Sequence, residues 1–301
     1  MNRKLRFALF GNVYQAKKSL AVQKLLCLLE ERKAEIFMDA SFHDYLVHKL
    51  QLSLRVHGII TGNDFDADVV VSMGGDGTFL EAASRVGDKR IPMLGINMGR
   101  LGFLADISAD DIDNAIHDIY EGLYTIEERS VLQVEYSEGN PSAHPYALNE
   151  VAVLKRDNSS MISIRISING EYLTTYQADG LIINTPTGST GYALSVGGPV
   201  MTPESHILGL VPVAPHSLTA RPITLSDDMQ IELTVESRSH NFLVAIDGRS
   251  ESLHENTRLR ISRAPYQVHV LKRSRGSLFR TLRTKLMWGS DIRCAHTDNL
   301  S

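Results

Sequence analysis

The sequence predicts an α/β chain in two parts: an N-terminal α/β domain built on a parallel sheet over residues 1–123, then a mainly antiparallel β domain over residues 124–274. A helical tail, from about 275 to 301, is expected to pack back onto the first part. Three observations carry this. Short apolar runs alternate with amphipathic stretches up to Tyr124. Strand patterns then follow one another to about Leu271. Helical spacing returns in "SLFRTLRTKLMW".

Strands alternating with helices imply a parallel sheet covered on both faces. The first run, residues 5–10, reads as a strand rather than a signal peptide, because no small-residue cleavage site follows it. Residues 17–32 carry Leu20, Val22, Leu25, Leu26 and Leu29 at helical spacing, with Cys27 on the same buried face. Residues 34–38 read as a strand and 42–52 as a helix. Residues 69–73 ("VVVSM") are the strongest strand, followed by a helix over 78–86. A strand over 92–96 and a helix over 109–120 complete the first part. In the second part, "VLQVEY", "YALNEVAVL", "MISIRISI", "EYLTTYQADGLII", "QIELTVE", "FLVAID", "RLRIS" and "YQVHVLK" read as strands. Ile162, Ile164, Ile166 and Ile168 alternate onto one face.

Composition limits the function classes. A net charge of −4 and a pI of about 6.3 argue against broad electrostatic binding to nucleic acid or to an anionic membrane. No apolar run approaches the ~20 residues of a membrane span. The two cysteines, Cys27 and Cys294, suggest neither a disulfide framework nor a thiolate metal site, and a cytoplasmic setting is expected. The 11 histidines are scattered without ligand spacing, so no metal ligands are assigned.

The run "VVVSMGGDGTFL" (residues 69–80) ends a buried strand in glycines around one carboxylate. Ligands of parallel sheets sit beyond the carboxyl ends of strands. Gly74, Gly75 and Gly77, with Thr78 opening a helix, form a candidate phosphate cradle. A carboxylate repels phosphate, so Asp76 needs another purpose. It either binds a bridging metal or accepts the proton of a hydroxyl that attacks phosphorus. The plain alternative is that Asp76 only caps the helix. A second passage, "ADGLIINTPTGSTGYALSVGGPVM" (residues 178–201), offers the hydroxyls of Thr185, Thr187, Ser189, Thr190, Tyr192 and Ser195 among exposed glycines. Such groups suit ribose and phosphate oxygens; the alternative is a loop that caps its own backbone. Two such passages, one per half, suggest a long ligand in a cleft between domains.

"GGDGTFL", "GINMGRLGFLAD", "ALNEVAV", "DGLIINTPTGSTGYALSVGGPV", "PHSLTARPI", "AIDG" and "RTLRTKL" occur in this order over roughly residues 68–290. In these blocks the chain resembles the NAD kinases. The first block alone is shared with diacylglycerol, sphingosine and phosphofructo-kinases. The resemblance implies transfer of the ATP γ-phosphate to the 2′-hydroxyl of the adenosine ribose of NAD, with Mg2+ or another divalent cation accompanying the nucleotide. It makes Asp76 the proton acceptor and a contact for NAD, with Gly77 binding through its backbone. It makes Asn149, Glu150, Asp179, the loop Thr190, Gly191, Tyr192, Ala193, Leu194 and Ser195, and Ala214 contacts for NAD, and sets Phe103 near the adenine. It also implies a homodimer or homotetramer. Glu81 and Gln177 stand where many members of the family carry a basic residue, and Arg249 is a candidate compensating charge.

Asn149 and Glu150 are adjacent, so they can touch one ligand only at a strand end or a bulge. The basic run "KRSRGSLFRTLRTK" reads as a solvated helix face, or else as a patch facing phosphate or another subunit. A lipid kinase of the diacylglycerol type shares the opening block, but the polar 185–195 stretch argues against an acyl cleft. A non-catalytic dinucleotide sensor is the other alternative, disfavoured by the presence of Asp76.

Overall fold

The computed structural model describes residues 4–11, 19–99, 102–137, 142, 144–157, 161–273 and 278–289. The chain divides into two compact units, Met1–Ile126 with His269–Ser301, and Glu127–Val268. The sequence set these changes at 124 and 275.

The first unit is a parallel sheet in the order β3-β2-β1-β4-β5: β1 (Arg6–Gly11), β2 (Glu35–Asp39), β3 (Gly58–Ile60), β4 (Val69–Gly74) and β5 (Met93–Asn97). The short β6 (Ile107–Ser108) pairs with the end of β5. Helices α1 (Ser19–Glu31), α3 (Asp76–Val86) and α4 (Ile112–Glu121) belong to this unit, as does α2 (Ala40–Asp44), which runs on into a π turn at Tyr45–Lys49. Every residue of β4 and of β5 is buried, as a parallel strand covered on both faces requires. Leu9, Val71, Leu94 and Ile96 of the sheet share one core with Val22, Leu25 and Leu29 of α1 and Ile112 and Ile116 of α4. Burying each such side chain contributes roughly 1.5–3 kcal/mol.

The first helix differs from its expected face. Leu20 is 79% exposed and Cys27 is exposed. At ~100° per residue, Val22, Leu25, Leu26 and Leu29 already span the buried stripe, and positions 20 and 27 fall outside it. Cys294 lies outside the described residues. The expected helix at 42–52 shortens, because the helical geometry ends at Lys49 and Gln51 takes a positive φ of 53°.

The second unit is a sandwich of antiparallel sheets. One carries β10 (Ile162–Ile168), β11 (Glu171–Ala178), β15 (Ile231–Glu236) and the first part of β18 (Leu259–Arg273), in the order β11-β10-β15-β18. The last part of β18 belongs to the first unit, where Val270 pairs with Met93 of β5. The other sheet runs β14-β13-β12-β9-β16-β17: β9 (Glu150–Lys155), β12 (Gly180–Asn184), β13 (Ile207–Val213), β14 (Ile223–Ser226), β16 (Asn241–Ile246) and β17 (Arg249–His254). Ile162, Ile164 and Ile166 of β10 meet Leu181 and Ile183 of β12 in the core. Ile182 points to the other face of its sheet and packs under Ala193 of α5 (Tyr192–Ser195). The segment "EYLTTYQADGLII" is two strands in two different sheets, broken at Asp179. "RLRIS" and "YQVHVLK" are one strand, β18. "YALNEVAVL" divides into β8 (Tyr146–Ala147), which pairs with β7 (Tyr124–Tyr136), and β9, and the break falls at Leu148 and Asn149. No helix among the described residues is long and apolar enough to cross a membrane.

Candidate active site

In the first unit, β4 ends at Gly74 and Gly75 turns the chain into α3. Gly75, not Asp76, is the N-cap, and Asp76 is the first helical residue. Gly74 must be small, because a Cβ there would collide with Thr78 Oγ1. Around Gly75 and Gly77 a Cβ would meet nothing within 4 Å, so backbone is open on this side. The N–H groups that open a helix lack intrahelical acceptors and carry a partial positive charge, which suits an anion. Thr78 was expected in the phosphate cradle. It is buried, and its side chain is turned back against Gly74.

The Asp76 side chain leaves the helix and accepts three backbone N–H groups of the loop after β5. Phe103 N–H donates to Oδ2 at 2.9 Å, and those of Leu104 and Ala105 donate to Oδ1 at 3.0 Å. Gly95 lets this loop close on the sheet, since a Cβ there would stand 2.6 Å from Ala105 Cα. Lys285 of α6 (Leu278–Leu286) brings its ammonium to 3.5 Å from Asp76 Oδ2 and 4.4 Å from the centre of the Phe103 ring. Asp76 and Lys285 keep 29% and 32% of their side-chain surface accessible. Sequence reasoning found Asp76 but neither the 103–105 amides nor Lys285. The basic run holds little free charge in its first part: Lys272 pairs with Asp106 at 2.6 Å, and Arg273 with Asp111 and Asp118.

In the second unit, Asn149 and Glu150 do lie at a strand end, with Glu150 the first residue of β9. Both side chains reach Gly191: a Cβ there would stand 3.0 Å from Glu150 Oε2 and 3.5 Å from Asn149 Nδ2. Asp247 sets this geometry. Its carboxylate accepts the N–H groups of Leu148 (2.7 Å), Asn149 (2.8 Å) and Glu150 (3.1 Å). Asn149 Oδ1 and Glu150 Oε2 are buried without a hydrogen-bond partner among the described residues. Two orphaned acceptors in one place call for a ligand that donates. Burial, and then the charge of Asp247, push the Glu150 carboxyl up to about 7, against the pull of the Tyr192 N–H. Burial raises Asp247 as well, opposed by its three backbone donors and by Arg249.

The hydroxyl-rich loop divides into two classes. Thr185 donates to Leu148 O at 2.6 Å and accepts the Gly188 N–H at 3.2 Å; Ser189 donates to Pro186 O at 2.7 Å and accepts the Met201 N–H at 3.0 Å. These two buried hydroxyls cap their own loop, and buried Thr187 accepts from the Arg129 guanidinium at 3.4 Å, so all three are engaged within the protein rather than presented to a ligand. Tyr192 and Ser195 are exposed; Thr190, Gly191 and Leu194 are partly so. Ala193 is fully buried under the sheet, which leaves its side chain no part in ligand contact.

Asp179 and Ala214 form a separate group. The Asp179 N–H donates to Val213 O at 3.0 Å, and its carboxylate pairs with Lys155 at 2.7 Å. Ala214 takes a positive φ of 44°, rare for a residue with a Cβ. In the β9–β12 register Asn184 faces Glu150 and Gly180 faces Leu154, so Asp179 sits at the far end of β12. At ~3.3 Å per residue, the structure does not bring Asp179 to Glu150. Asp179, Gln177, Lys155 and His216 instead line an open groove of about 990 Å³. Gln177 donates to Ser163 at 2.7 Å, Arg249 donates to Tyr146 O at 3.0 Å, and Glu81 is exposed.

A glycine-flanked carboxylate at a helix start, and a β unit presenting orphaned acceptors beside a small-residue loop, are features that a phosphotransferase acting on a nucleotide could use. Comparison with known proteins identifies which. The ATP-NAD kinase N-terminal domain matches residues 8–124 and the ATP-NAD kinase C-terminal domain residues 148–273. The NAD kinase of Bacteroides fragilis is 58% identical over 289 residues, covering 96% of this chain and 100% of that protein. That of Porphyromonas gingivalis is 40% identical, covering 96% and 99%. The chain belongs to the NAD kinase family, and the diacylglycerol-kinase alternative falls with that. A crystal structure of an NAD kinase from Archaeoglobus fulgidus in complex with ATP superposes with a TM-score of 0.75 at 26% identity, covering 94% of this chain and 99% of that one. Yeast NADH kinase complexed with NADH shares the fold, with a TM-score of 0.88 at 21% identity over 98% and 90% of the two chains.

Proposed function

We propose that the chain phosphorylates the 2′-hydroxyl of the adenosine ribose of NAD, with ATP as donor, giving NADP and ADP. The observation that carries the reading is the place of Asp76, at the first turn of α3 between two open glycines, with one side of its carboxylate left free of backbone donors. That side accepts the hydroxyl proton as the oxygen attacks the γ-phosphorus. The N–H groups of Gly75 and Gly77 serve phosphate oxygens. Asn149 Oδ1 and Glu150 Oε2 accept from donor groups of NAD, and the exposed 190–195 surface supports its ribose and adenine. Asp179 already pairs with Lys155, so its share in NAD binding is read from the affinity of Asp179→Asn.

No group of three or more His, Cys, Asp or Glu side chains that could hold a metal occurs among the described residues. Asp76 already accepts three amides and faces an ammonium, which makes it a poor cation ligand. A Mg2+ ion therefore fits as a companion of the ATP phosphates rather than as a caged metal, and when bound it neutralises phosphate charge. A cytoplasmic setting agrees with the free, exposed Cys27. A homodimer or homotetramer agrees with exposed apolar residues such as Leu218 (91%) and Tyr172 (50%).

The test is an assay of purified protein with NAD, ATP and Mg2+, reading NADP through a coupled dehydrogenase. Asp76→Asn should lower turnover by about a hundredfold or more, while NAD still binds. Near-normal turnover in that variant would remove Asp76 from the chemistry.

A further inference from the structure

We propose that Lys285 is a positioning residue for Asp76 in this phosphoryl transfer, an inference that rests on the function proposed above. A carboxylate offers about four lone-pair sites. The N–H groups of Phe103, Leu104 and Ala105 fill three of them. The Lys285 ammonium stands at the remaining side, 3.5 Å from Oδ2. A formed charge-assisted bond is shorter, ~2.7–2.9 Å. The cation therefore attends that side without closing it to a substrate hydroxyl.

The sequence explains why this lysine, among many basic residues, is the one at the carboxylate. Leu282 is the buried anchor of α6, and Lys285 lies three positions on, on the same face. At ~100° per residue, Arg280 and Arg283 fall outside that stripe. The Phe103 ring lies under the ammonium at 4.4 Å and limits where it can swing. Phe103 thus holds both members of the pair, Asp76 through its N–H and Lys285 through its ring.

In the transfer, the ribose O–H proton passes to Asp76 Oδ2. A bond forms between the ribose oxygen and the γ-phosphorus. The bond from that phosphorus to the β-phosphate oxygen breaks, and its electron pair leaves with ADP. Lys285 remains an ammonium throughout. As Asp76 becomes neutral, the ammonium loses its anionic partner while negative charge is moving between phosphate oxygens beside it. Its placement therefore acts on the chemical step rather than on ground-state affinity.

The experiment is steady-state kinetics with NAD, ATP and Mg2+ on wild type, Lys285→Met, Asp76→Asn and the double variant, with thermal melting of each. Lys285→Met should lower kcat about tenfold or more, while both KM values change less than about threefold. The double variant should be no slower than Asp76→Asn alone, because the two residues work as a unit. If Lys285→Met melts early, Lys285→Gln takes its place. A wild-type kcat in Lys285→Met, or losses that multiply in full in the double variant, overturns the inference while leaving Asp76 in place. No NADP from the wild-type protein overturns the function instead.

Discussion

Asp247 Oδ1 accepts the backbone N–H of Asn149 at 2.8 Å, and the same carboxylate takes those of Leu148 and Glu150. Asp247 and Gly248 both have positive φ, 46° and 81°, in the two-residue turn between β16 and β17. This is the geometry of a type I′ hairpin, where Asp and Asn are tolerated and Ala is strained. One residue thus serves a tight turn and the strand end that presents the two orphaned acceptors.

Replacing it should therefore give a graded series. Asp247→Asn keeps one acceptor oxygen and the turn preference, and should cost about 1–2 kcal/mol. Asp247→Ala loses all three bonds and adds turn strain, and should cost about 3 kcal/mol or more. Urea unfolding midpoints measure both. Equal losses in the two variants would show that the acceptor oxygens are not what holds the strand end.

The glycines around Asp76 make opposite predictions. Gly77→Ala meets no protein atom and removes a poor helix former, so stability should stay level or rise by up to about 1 kcal/mol. Its methyl group intrudes on the open backbone, so KM for ATP should rise about tenfold. Gly102→Ala instead drives a Cβ into Asp76 Oδ1, so stability should fall by about 1–3 kcal/mol. There kcat should fall, because the carboxylate is displaced. Melting and kinetics on the two variants separate cradle from latch.

The β4–α3 junction was legible because its signal is local. Val69–Gly74 is apolar but for Ser72 and buried throughout, and further glycines follow directly in the chain. The strand-end condition on Asn149 and Glu150 was likewise a local argument from side-chain alternation, and Leu148 and Asn149 do interrupt the strand. The partners of Asp76 were not legible. Phe103, Leu104 and Ala105 lie 27 to 29 residues away and contribute only backbone, which any side chain would supply. The same holds for Asp247 and its amides, 97 to 99 residues distant, although "DG" between apolar runs is a recognisable hairpin turn. Hydroxyl count misled for Thr185 and Ser189, since a loop this buried needs hydroxyls for its own backbone, and for Thr187, whose hydroxyl is taken by Arg129. The sheet switch at Asp179 left no mark, because apolar patterning reports burial and not which sheet provides it.

The raised Glu150 carboxyl gives stability a pH dependence of defined sign. Its value moves from 4.5 in the ordinary state to about 7 in the fold, chiefly through burial and then through the charge of Asp247. Below pH 4.5 the group is neutral in both folded and unfolded chains, and its contribution is fully present. Between 4.5 and 7 the unfolded chain gives up the proton and the folded chain keeps it. The folded state then binds more protons, so stability falls as pH rises. At ~1.36 kcal/mol per unit, the contribution lost by the time pH passes the folded value is about 3 kcal/mol. Glu150→Gln cannot titrate and should flatten this part of the curve. Urea midpoints of wild type and variant at about pH 5 and about pH 8 provide the measurement. Parallel curves for the two proteins would place the titration elsewhere. If stability rose with pH in the wild type alone, the folded chain would hold the Glu150 proton less tightly than the unfolded one, and the orphaned Oε2 would carry a full charge before any ligand arrived.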